Sequence, residues 1–359
     1  MDKSLKFIIS GGGTGGHIFP ALAIAQGLKS RLPECEILFV GAEHKMEMTK
    51  VPEAGYRIEG LPIAGIKRGF SLQALNYNFK LLFKIFKSLR KVRRIIGDYR
   101  PNVVIGVGGY ASWATLKVAT DLRIPTLIQE QNSYPGISNK RLAGKVSTIC
   151  VAYPNLERYF PAEKIIYTGN PVRKDILQLQ SIDNNRNKLT VLIVGGSQGA
   201  LSLNRTIEDN FEYLAQQNFE IIWQTGEKFQ TQKSAENITI LPFIKDMAAA
   251  YQKADIIISR AGALAISELC IIGKPTIFVP FPHAAEDHQT KNAEVLMKAD
   301  AALMIKDEMV KQDLIPALLT LIQNPQKQKE LGQRITQFAK PDAVEHIVNE
   351  ILKLVKKYG

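Results

Sequence analysis

Two glycine-rich turns of the same design stand about one domain apart in the sequence. Residues 11–16 read GGGTGG and residues 195–200 read GGSQGA, and each turn follows a short apolar run and precedes a helix-like segment. A strand that leads through glycines into a helix presents free backbone N–H groups and the positive end of the helix dipole, which favour a bound phosphate. The pair therefore predicts two domains with phosphate chemistry in a cleft between them.

His17 directly follows the first turn, at the predicted N-terminus of a helix. The helix dipole is expected to lower the pKa of an imidazole at this position, because it disfavours the protonated ring. A neutral imidazole can accept a proton from a substrate hydroxyl, which makes His17 a candidate general base. A second interpretation stays open, in which His17 bonds to the backbone or to a substrate phosphate.

Two other nucleotide-binding classes fit the glycines less well. Gly11, Gly13 and Gly16 match the dinucleotide fingerprint, and Glu36 or Glu43 lies near the place of a ribose-binding acid. The same domain provides for no second half of a dinucleotide, which disfavours an NAD-dependent oxidoreductase. The second turn lacks the Lys-Ser/Thr end of a P-loop, which disfavours an ATPase.

Polar residues follow several predicted strands, where open α/β sheets bind ligands. Glu268 lies about two turns into a predicted helix. Its carboxylate suits bidentate hydrogen bonding to vicinal ribose hydroxyls, and a surface acid is the alternative. Arg173 can reach an anion, and Glu130 can position a sugar hydroxyl. His283 and His288 stand among acids, but their spacing matches no zinc motif, so we expect no metal site.

Residues 79–94 form a basic amphipathic stretch. Seven lysines and arginines, and no acid, alternate there with phenylalanines and aliphatic residues at helical spacing. Such a helix suits an anionic membrane surface. A domain helix with a solvated basic face is the alternative that stays open. Nucleic acid is a weaker choice, because no recognition module is visible.

The composition indicates a globular protein with an anionic partner. Of 359 residues, 45% are apolar, and 46 Lys and Arg against 34 Asp and Glu give a net charge of +12. Cys35, Cys150 and Cys270 are far apart and odd in number, which predicts reduced core residues in a cytosolic protein. We expect no secretory signal and no membrane span, so that any membrane association is peripheral.

Alternating strand and helix signals in both halves predict an α/β protein with two doubly wound parallel sheets. Strands are predicted at residues 5–9, 36–40, 102–107, 125–129, 190–194, 220–224, 238–241, 255–259 and 275–280, and helices at 19–32, 113–120 and 343–357. A Gly-Asn-Pro cluster places the boundary between a first domain at 1–169 and a second at 170–341. We expect the C-terminal helix at 342–359 to pack back on the first domain.

Seven segments, in order and over nearly the whole chain, resemble those of the MurG family, the bacterial glycosyltransferases that make lipid II. They are residues 12–20, 106–110, 130–132, 169–173, 195–200, 260–268 and 287–289. The resemblance implies a GT-B fold, with two Rossmann-like doubly wound domains facing across a cleft. It implies that UDP-N-acetylglucosamine is the donor and undecaprenyl-diphosphate-N-acetylmuramoyl-pentapeptide (lipid I) the acceptor. The implied product is a β-1,4-linked disaccharide, formed with inversion at the anomeric carbon. The alternative function is that of a related transferase of this fold that uses another UDP-sugar.

The functional residues of the family fall on definite positions of this sequence. The resemblance implies donor contacts at Thr14, Gly15, Gly16, Asn132, Arg173, Ser197, Ile244, Ala263, Leu264, Ala265, Ile266, Ser267, Glu268 and Gln289. It implies acceptor-diphosphate contacts at Gly13, Gly108, Gly109 and Tyr110. The backbone of Ile244 would hold uracil, Glu268 the ribose and Ser197 a phosphate. Asn132 and Gln289 would hold the sugar. One departure is Ala261, where a serine is common before the glycine.

The implied reaction sets the remaining expectations. Negative charge grows on the leaving pyrophosphate, and backbone amides, a helix dipole and Arg173 are expected to stabilise it. We therefore expect no tightly bound cofactor, although Mg²⁺ can assist at the pyrophosphate, and His17 as the catalytic base. The expected partners are UDP-N-acetylglucosamine, the lipid-linked acceptor and an anionic membrane surface, and not nucleic acid. The expected location is the cytoplasmic face of the bacterial cell membrane.

Overall fold

The computed structural model describes residues 4–65, 72–179, 188–196 and 198–358, and the chain divides into two compact units. The first unit comprises Met1–Val172 and Asp342–Gly359, and the second unit comprises Arg173–Pro341. Each unit is built on its own parallel sheet.

The first unit contains a seven-stranded sheet. Its strands are β1 (Lys6–Ser10), β2 (Glu36–Ala42), β3 (Arg57–Leu61), β4 (Val103–Gly106), β5 (Thr126–Glu130), β6 (Thr148–Val151) and β7 (Ile165–Tyr167). They lie in the order β3-β2-β1-β4-β5-β6-β7, so the strand order reverses between β1 and β4. We call this place the first switch point. Ser10 and Gly106, the last residues of the two strands, lie opposite each other, so both following turns begin at one level.

Helices and loops bury this sheet from both sides. The helices are α1 (Gly15–Arg31), α2 (Glu47–Glu53), α3 (Leu72–Tyr99), α4 (Tyr110–Asp121) and α5 (Ile137–Leu142), with a short 3-10 helix at Ala162–Lys164. Alternate residues of β1 enter different cores: Ile8 packs in one cluster, and Phe7 and Ile9 pack in another. This two-sided burial explains why β1 reads as a continuous apolar run.

The second unit contains a six-stranded sheet of the same plan. Its strands are β8 (Thr190–Val194), β9 (Glu220–Gln224), β10 (Ile238–Leu241), β11 (Ile256–Ser259), β12 (Thr276–Phe278) and β13 (Leu303–Met304). The order is β10-β9-β8-β11-β12-β13, which places the second switch point between β8 and β11. Ser259 lies opposite both Val194 and Phe278, so three neighbouring strands end at one level.

The helices of the second unit are mostly short. They are α6 (Lys174–Leu177), α7 (Leu201–Asp209), α8 (Phe211–Ala215), α9 (Met247–Lys253), α10 (Ala263–Ile272), α11 (His288–Lys298), α12 (Val310–Ile322) and α13 (Pro325–Thr336), with 3-10 helices at Ala285–Asp287 and Asp307–Met309. Trp223, on β9, is the largest fully buried side chain of this unit's core, and its indole N–H donates to Asn204 Oδ1 at 3.0 Å.

The last helix, α14 (Ala343–Tyr358), belongs to the first unit although it follows the second in sequence. Ile347 and Ile351 of α14 are fully buried in the same core as Phe7. At Gly27 of α1 a Cβ atom would lie 2.5 Å from Val344 Cγ1, so the two helices approach more closely than a side chain there allows. Glycine at that position is therefore part of the packing of α14.

The sequence patterns predicted most strands of the two sheets. The predictions at 190–194, 220–224 and 238–241 are confirmed to the residue. The first helix begins at Gly15, four residues before the predicted 19, because its first turn consists of glycine, glycine and histidine and carries no apolar signal. The edge strands β3, β7 and β13 were not predicted; each is short and lacks a continuous buried run. The interior strand β6, which has four residues, was not predicted either.

The three cysteines are free and buried, as predicted. Burial raises the pKa of each thiol, that of Cys270 to about 12, so they are inert core residues. Within the described ranges, no helix has both the length and the apolar character that crossing a bilayer requires.

Candidate functional site

The first switch point brings two glycine turns into contact. Gly13, Gly108 and Gly109 have φ angles of +89°, +105° and +89°, a region that glycine adopts without strain. A Cβ atom on Gly109 would lie 2.7 Å from the carbonyl oxygen of Gly12. The turn after β4 therefore packs directly on the turn after β1, and only glycine permits that approach.

His17 lies in the first turn of α1, against the second of these turns. Its Nδ1 atom is 3.0 Å from the carbonyl oxygen of Gly12. A Cβ atom on Gly108 would lie 2.7 Å from His17 Nε2, so the imidazole rests on the bare backbone of Gly108. The structure thus brings together the candidate base and two of the residues predicted to contact the acceptor diphosphate.

The N-terminus of α1 is left open for a ligand. Thr14 is the N-cap residue, with extended φ and ψ angles, and its side chain makes no capping hydrogen bond. The first turn of α1 also holds no acidic side chain. The amides of Gly15 and Gly16 therefore carry the partial positive charge of the helix dipole without a neutralising partner from a capping side chain, which is the geometry of an anion site.

Glu47 is a buried carboxylate beneath this turn, and sequence reasoning missed it. Its side chain is 1% exposed. Oε2 accepts a hydrogen bond from the Gly13 amide at 2.9 Å, and Oε1 accepts one from the Ala42 amide at 2.9 Å. The Gly13 N–H is therefore occupied by Glu47, so the predicted contact of Gly13 with an acceptor diphosphate does not use that amide.

The loop after β5 is held by another buried carboxylate, Glu130. Oε1 accepts from the amide and the side-chain nitrogen of Asn132, at 3.0 and 3.2 Å. Oε2 accepts from the Gly136 amide at 3.1 Å and from Asn139 Nδ2 at 2.8 Å. With both oxygens occupied, Glu130 fixes the loop that presents Asn132. The expectation that Glu130 itself positions a sugar hydroxyl is corrected accordingly.

Three further predicted residues of the first unit have clear places. Tyr110 begins α4, is half-exposed, and covers Gly65, where a Cβ atom would lie 2.8 Å from its ring. Glu43 follows the end of β2. Glu36 is the first residue of β2, at the N-terminal end of the strands, whereas the glycine turns follow the C-terminal end. Its side chain pairs with Lys6 at 3.2 Å. Glu36 therefore cannot serve as the ribose acid of a dinucleotide site.

The second switch point also has glycines with positive φ angles, and one of them is tightly packed. Gly196 and Gly199 have φ angles of +84° and +76°. A Cβ atom on Gly199 would lie 1.9 Å from the Thr225 carbonyl oxygen, so the turn after β8 lies tightly against the loop after β9. Ser197, the predicted phosphate contact, lies outside the described residues.

Glu268 sits on α10 in a cluster with Arg173 and Tyr251. Its Oε1 atom is 3.4 Å from Arg173 Nε, and its Oε2 atom accepts a hydrogen bond from the Tyr251 hydroxyl at 3.1 Å. Burial raises the pKa of Glu268, and Arg173 and Tyr251 oppose that rise. Burial also raises the pKa of Tyr251. The structure brings Arg173 and Glu268 together as a partly buried pair, and no sequence pattern indicated Tyr251.

The other predicted residues on α10 form its first turns. Gly262 is the N-cap residue, again without a side-chain cap, and Ala263 and Leu264 form the first turn of the helix. Ile266 is buried in the protein interior. The hydroxyl of Ser267 donates to the Ala263 carbonyl at 3.0 Å and so stays within the helix. Of the donor contacts predicted on α10, Ile266 is a core residue and the Ser267 hydroxyl is bonded within the helix. The groups that can face a ligand are therefore backbone amides and the carboxylate of Glu268.

Arg260, shortly before α10, fixes the loop after β12, which leads to α11 and Gln289. Its NH1 donates to the carbonyl oxygens of Val279 and Pro280, both at 3.1 Å, and lies 2.5 Å from Asp307 Oδ1. Its NH2 donates to the Ser202 hydroxyl at 3.0 Å. Arg260 lies in the segment 260–268 that resembles the family, but the sequence motifs assigned the arginine no role. In the structure it links β11 to the loop after β12.

Gln289 closes that loop. Its side-chain carbonyl accepts from the Phe281 amide at 2.9 Å, which leaves its NH₂ group as the donor for a ligand. Glu286 and Asp287 precede it with φ angles of +55° and +56°, two consecutive strained residues of a kind that clusters at ligand sites. Ile244, buried after β10, completes the predicted set of this unit. Among the described side chains no group of three His, Cys, Asp or Glu is arranged to hold a metal ion.

The basic stretch 79–94 lies within α3 and has two apolar faces. Leu81, Val92 and Ile96 are buried in or against the first unit. A second set is exposed by 62–68% at the spacing i, i+3, i+4, i+7: Phe79, Leu82, Phe83 and Phe86. Lys84, Lys87 and Arg90 are exposed along the same stretch. The core therefore accounts for only one of the two apolar faces.

Comparison with known proteins supports the family resemblance that the sequence motifs indicated. Residues 7–151 match the glycosyltransferase family 28 N-terminal domain, and residues 190–347 match its C-terminal domain. A Flavobacterium psychrophilum protein described as UDP-N-acetylglucosamine–N-acetylmuramyl-(pentapeptide) pyrophosphoryl-undecaprenol N-acetylglucosamine transferase is 50% identical over 99% of both chains. The Bacteroides fragilis protein of that description is 48% identical, over 99% of this chain and 97% of its own.

Solved structures with the same fold also match nearly the whole chain. The crystal structure of Acinetobacter baumannii MurG matches with a TM-score of 0.79 and 33% identity, over 97% of this chain and 99% of that chain. A UDP-GlcNAc 2-epimerase from Neisseria meningitidis matches with a TM-score of 0.64 and 16% identity, over 98% and 100%, which shows the fold alone. The two Rossmann-like units are those of the GT-B fold, and the chain belongs to the MurG family within glycosyltransferase family 28.

Proposed function

We propose that the protein moves N-acetylglucosamine from UDP-N-acetylglucosamine to the C4 hydroxyl of undecaprenyl-diphosphate-N-acetylmuramoyl-pentapeptide, which gives lipid II for peptidoglycan synthesis. The observation that carries the proposal is identity of about half, over nearly the full length, to relatives described as this transferase. The chemistry available at the two switch points fits the two substrates.

The donor binds mainly at the second switch point. The backbone amides after β8 and at the start of α10 receive the diphosphate, because the positive end of a helix dipole lies at the start of each following helix. The carboxylate of Glu268 accepts hydrogen bonds from the ribose hydroxyls, Gln289 donates to the sugar, and the backbone of Ile244 holds uracil. Arg173, which already touches Glu268, extends its charge toward the phosphates.

The acceptor binds at the first switch point. Amides of Gly108, Gly109 and Tyr110 take its diphosphate, and Asn132, Thr14, Gly15 and Gly16 approach the sugar and phosphate of the donor. The C4 oxygen attacks the anomeric carbon from the face opposite UDP, so a C–O bond forms while the bond to the β-phosphate oxygen breaks. The hydroxyl proton passes to His17 Nε2, and the configuration at the anomeric carbon inverts.

Charge stabilisation on the leaving UDP comes from fixed groups of the protein. Negative charge grows on the pyrophosphate as the transition state forms, and preorganised N–H groups and Arg173 stabilise it. In this proposal the protein holds no tightly bound cofactor, and Mg²⁺ from solution can assist at the pyrophosphate.

The direct test is a transfer assay with the purified protein. We expect UDP release and a β-1,4-linked disaccharide only when UDP-N-acetylglucosamine and the lipid-linked acceptor are both present. UDP-glucose and UDP-N-acetylgalactosamine serve as donor controls, and NAD serves as a thermal-shift control. Equal turnover with another UDP-sugar, or stabilisation by NAD and not by UDP-N-acetylglucosamine, would contradict the proposal.

We further propose that the protein is peripheral at the cytoplasmic face of the membrane and binds it through stretch 79–94, rather than binding nucleic acid. The exposed Phe79, Leu82, Phe83 and Phe86 would enter the headgroup region while neighbouring lysines and arginines meet anionic lipid. Lys91 is not among the residues changed in the test below, because it donates to the Gly60 carbonyl at 2.7 Å and so contributes to the fold.

Vesicle sedimentation tests this surface. Reversing Lys84, Lys87 and Arg90 to Glu should reduce binding to vesicles with anionic lipid by about tenfold or more, at about 1 kcal/mol per charge near the surface. Reversing the exposed Lys329, Lys356 and Lys357 makes the same change in net charge elsewhere and should have much less effect. Equal losses in the two triple variants would show that net charge alone drives binding.

A further inference from the structure

One peptide group links two side chains at the first switch point. The peptide between Gly12 and Gly13 offers its carbonyl oxygen to His17 Nδ1 at 3.0 Å and its N–H to Glu47 Oε2 at 2.9 Å. The imidazole and the carboxylate do not need to touch, because the two polar ends of a single planar peptide connect them.

The carbonyl end of this peptide determines which ring nitrogen carries the proton. A carbonyl oxygen only accepts hydrogen bonds, so His17 Nδ1 must donate. In a neutral imidazole the proton then resides on Nδ1, and the lone pair resides on Nε2. A base that removes a proton through Nε2 requires this tautomer.

The carboxylate end of this peptide is fixed with little freedom. Glu47 is 1% exposed, and its other oxygen is held by the Ala42 amide. A Cβ atom on Gly12 would lie 2.0 Å from Glu47 Oε1, and one on Gly41 would lie 2.5 Å from Glu47 Cγ. Two glycines on different segments therefore make room for the buried carboxylate, which accepts charge-assisted hydrogen bonds from both amides.

We propose that Glu47 is a positioning residue that acts through the Gly12–Gly13 peptide to hold His17 in the Nδ1–H tautomer. A carboxylate that accepts from the N–H of a peptide polarises it and strengthens its carbonyl as an acceptor, so the bond from His17 gains strength and direction. The arrangement does the work of an acid that orients a catalytic histidine, with a peptide group placed between them. The inference rests on the proposed role of His17 as the base.

The test measures the tautomer itself. Nitrogen-15 NMR of histidine-labelled protein at a pH where the ring is neutral, with His17 assigned from the His17→Asn spectrum, should show one tautomer with the proton on Nδ1. Glu47→Gln removes the charge and presents an NH₂ group to one of the two amides. We expect a mixture of both tautomers, a fall in kcat of about 10- to 100-fold, and a KM for UDP-N-acetylglucosamine within about twofold of wild type.

Glu53→Gln is the matched control, because Glu53 ends the same helix and forms an exposed pair with Lys50. It should leave the tautomer, kcat and KM unchanged. A wild-type ring protonated on Nε2 would overturn the inference without any variant, even if Glu47→Gln fails to fold. A folded Glu47→Gln protein with an unchanged tautomer would overturn it as well. A changed tautomer with unchanged kcat would keep the positioning role and refute His17 as the base.

Discussion

The two switch points use one backbone plan for different chemistry. In both, a buried strand ends in glycines with positive φ angles and leads toward a helix. At the first switch point, the side chain that faces the turns is the imidazole of His17, and both oxygens of the buried carboxylate Glu47 accept hydrogen bonds from backbone amides. At the second, the carboxylate of Glu268 is held by one arginine and one tyrosine hydroxyl.

This difference matches the different roles that we propose for the two units. A ring nitrogen with a fixed tautomer suits proton transfer, whereas a carboxylate beside an arginine suits hydroxyl and phosphate recognition. The glycines have the same role in both places, because the absence of a side chain lets backbone amides approach a ligand. What a switch point does is therefore decided by the few side chains around the turn.

The largest expected effects come from the glycines of the second turn, because that turn contains both packed and open positions. At Gly199 a Cβ atom would meet the Thr225 carbonyl at 1.9 Å, whereas at Gly196 nothing lies within 4 Å. Gly199→Ala should lower the free energy of unfolding by about 3 kcal/mol or more. Gly196→Ala should lower it by about 1–2 kcal/mol, the backbone strain alone. Urea unfolding measures both, and equal losses would contradict the packing described for this turn.

A second comparison separates the ion pair of the second switch point from its individual members. Arg173→Ala leaves the buried Glu268 without its cation, which should cost about 1–3 kcal/mol of stability. In a Glu268→Gln background the same change should cost much less, because no buried charge is left unpaired. A double-mutant cycle by urea unfolding measures the coupling, and additive losses would show that the pair has no energetic role.

Arg260 tests whether the second site depends on loop positioning. Arg260→Lys keeps the charge but cannot reach both the Ser202 hydroxyl and the carbonyls of Val279 and Pro280. The loop that leads to α11 and Gln289 should loosen, with a rise of about three- to tenfold in the KM for UDP-N-acetylglucosamine and little change in kcat. Arg205→Lys, on the exposed face of α7, is the control. A fall in kcat alone would place Arg260 in the chemistry instead.

The smallest expected effect is a pH dependence from Glu268. Burial raises its pKa in the folded protein above the ordinary value of 4.5. The folded state therefore binds more protons than the unfolded chain in this window, and the free energy of unfolding falls as the pH rises from 4.5 through the folded pKa. The Glu268→Gln variant should lack this slope, so the difference between the two stability profiles should isolate it. Donor affinity should change in the opposite sense, since ribose hydroxyls require the ionised carboxylate; a pH-independent difference would contradict both.

Much of this architecture could be predicted from local sequence. Central strands such as β8 are buried on both faces and read as continuous apolar runs, and a glycine turn after such a strand has few other structural uses. The edge strands β7 and β13 have three and two residues and no such run, so the pattern gave no signal for them.

The supporting side chains could not be predicted in the same way. Glu47 stands 34 positions from Gly13, and only the packing of α2 beneath the turn makes them partners. Tyr251 stands 17 positions from Glu268 on a different helix. Arg260 was adjacent to a recognised motif, yet its four partners come from separate loops and helices. Local patterns predict where a site forms, and long-range packing determines which side chains hold it in place.

We propose that the first unit moves the proton and that the second unit binds the donor. Calorimetry with UDP-N-acetylglucosamine and single-turnover transfer check this proposal, each on His17→Ala and Glu268→Ala, with the exposed His44→Ala as control. We predict that His17→Ala binds the donor within about twofold of wild type but transfers about 100-fold more slowly or worse. Glu268→Ala should bind the donor about 10- to 100-fold more weakly and transfer at nearly the wild-type rate at saturation. Weak donor binding with a normal saturated rate in His17→Ala, or a lost saturated rate in Glu268→Ala, would contradict the account.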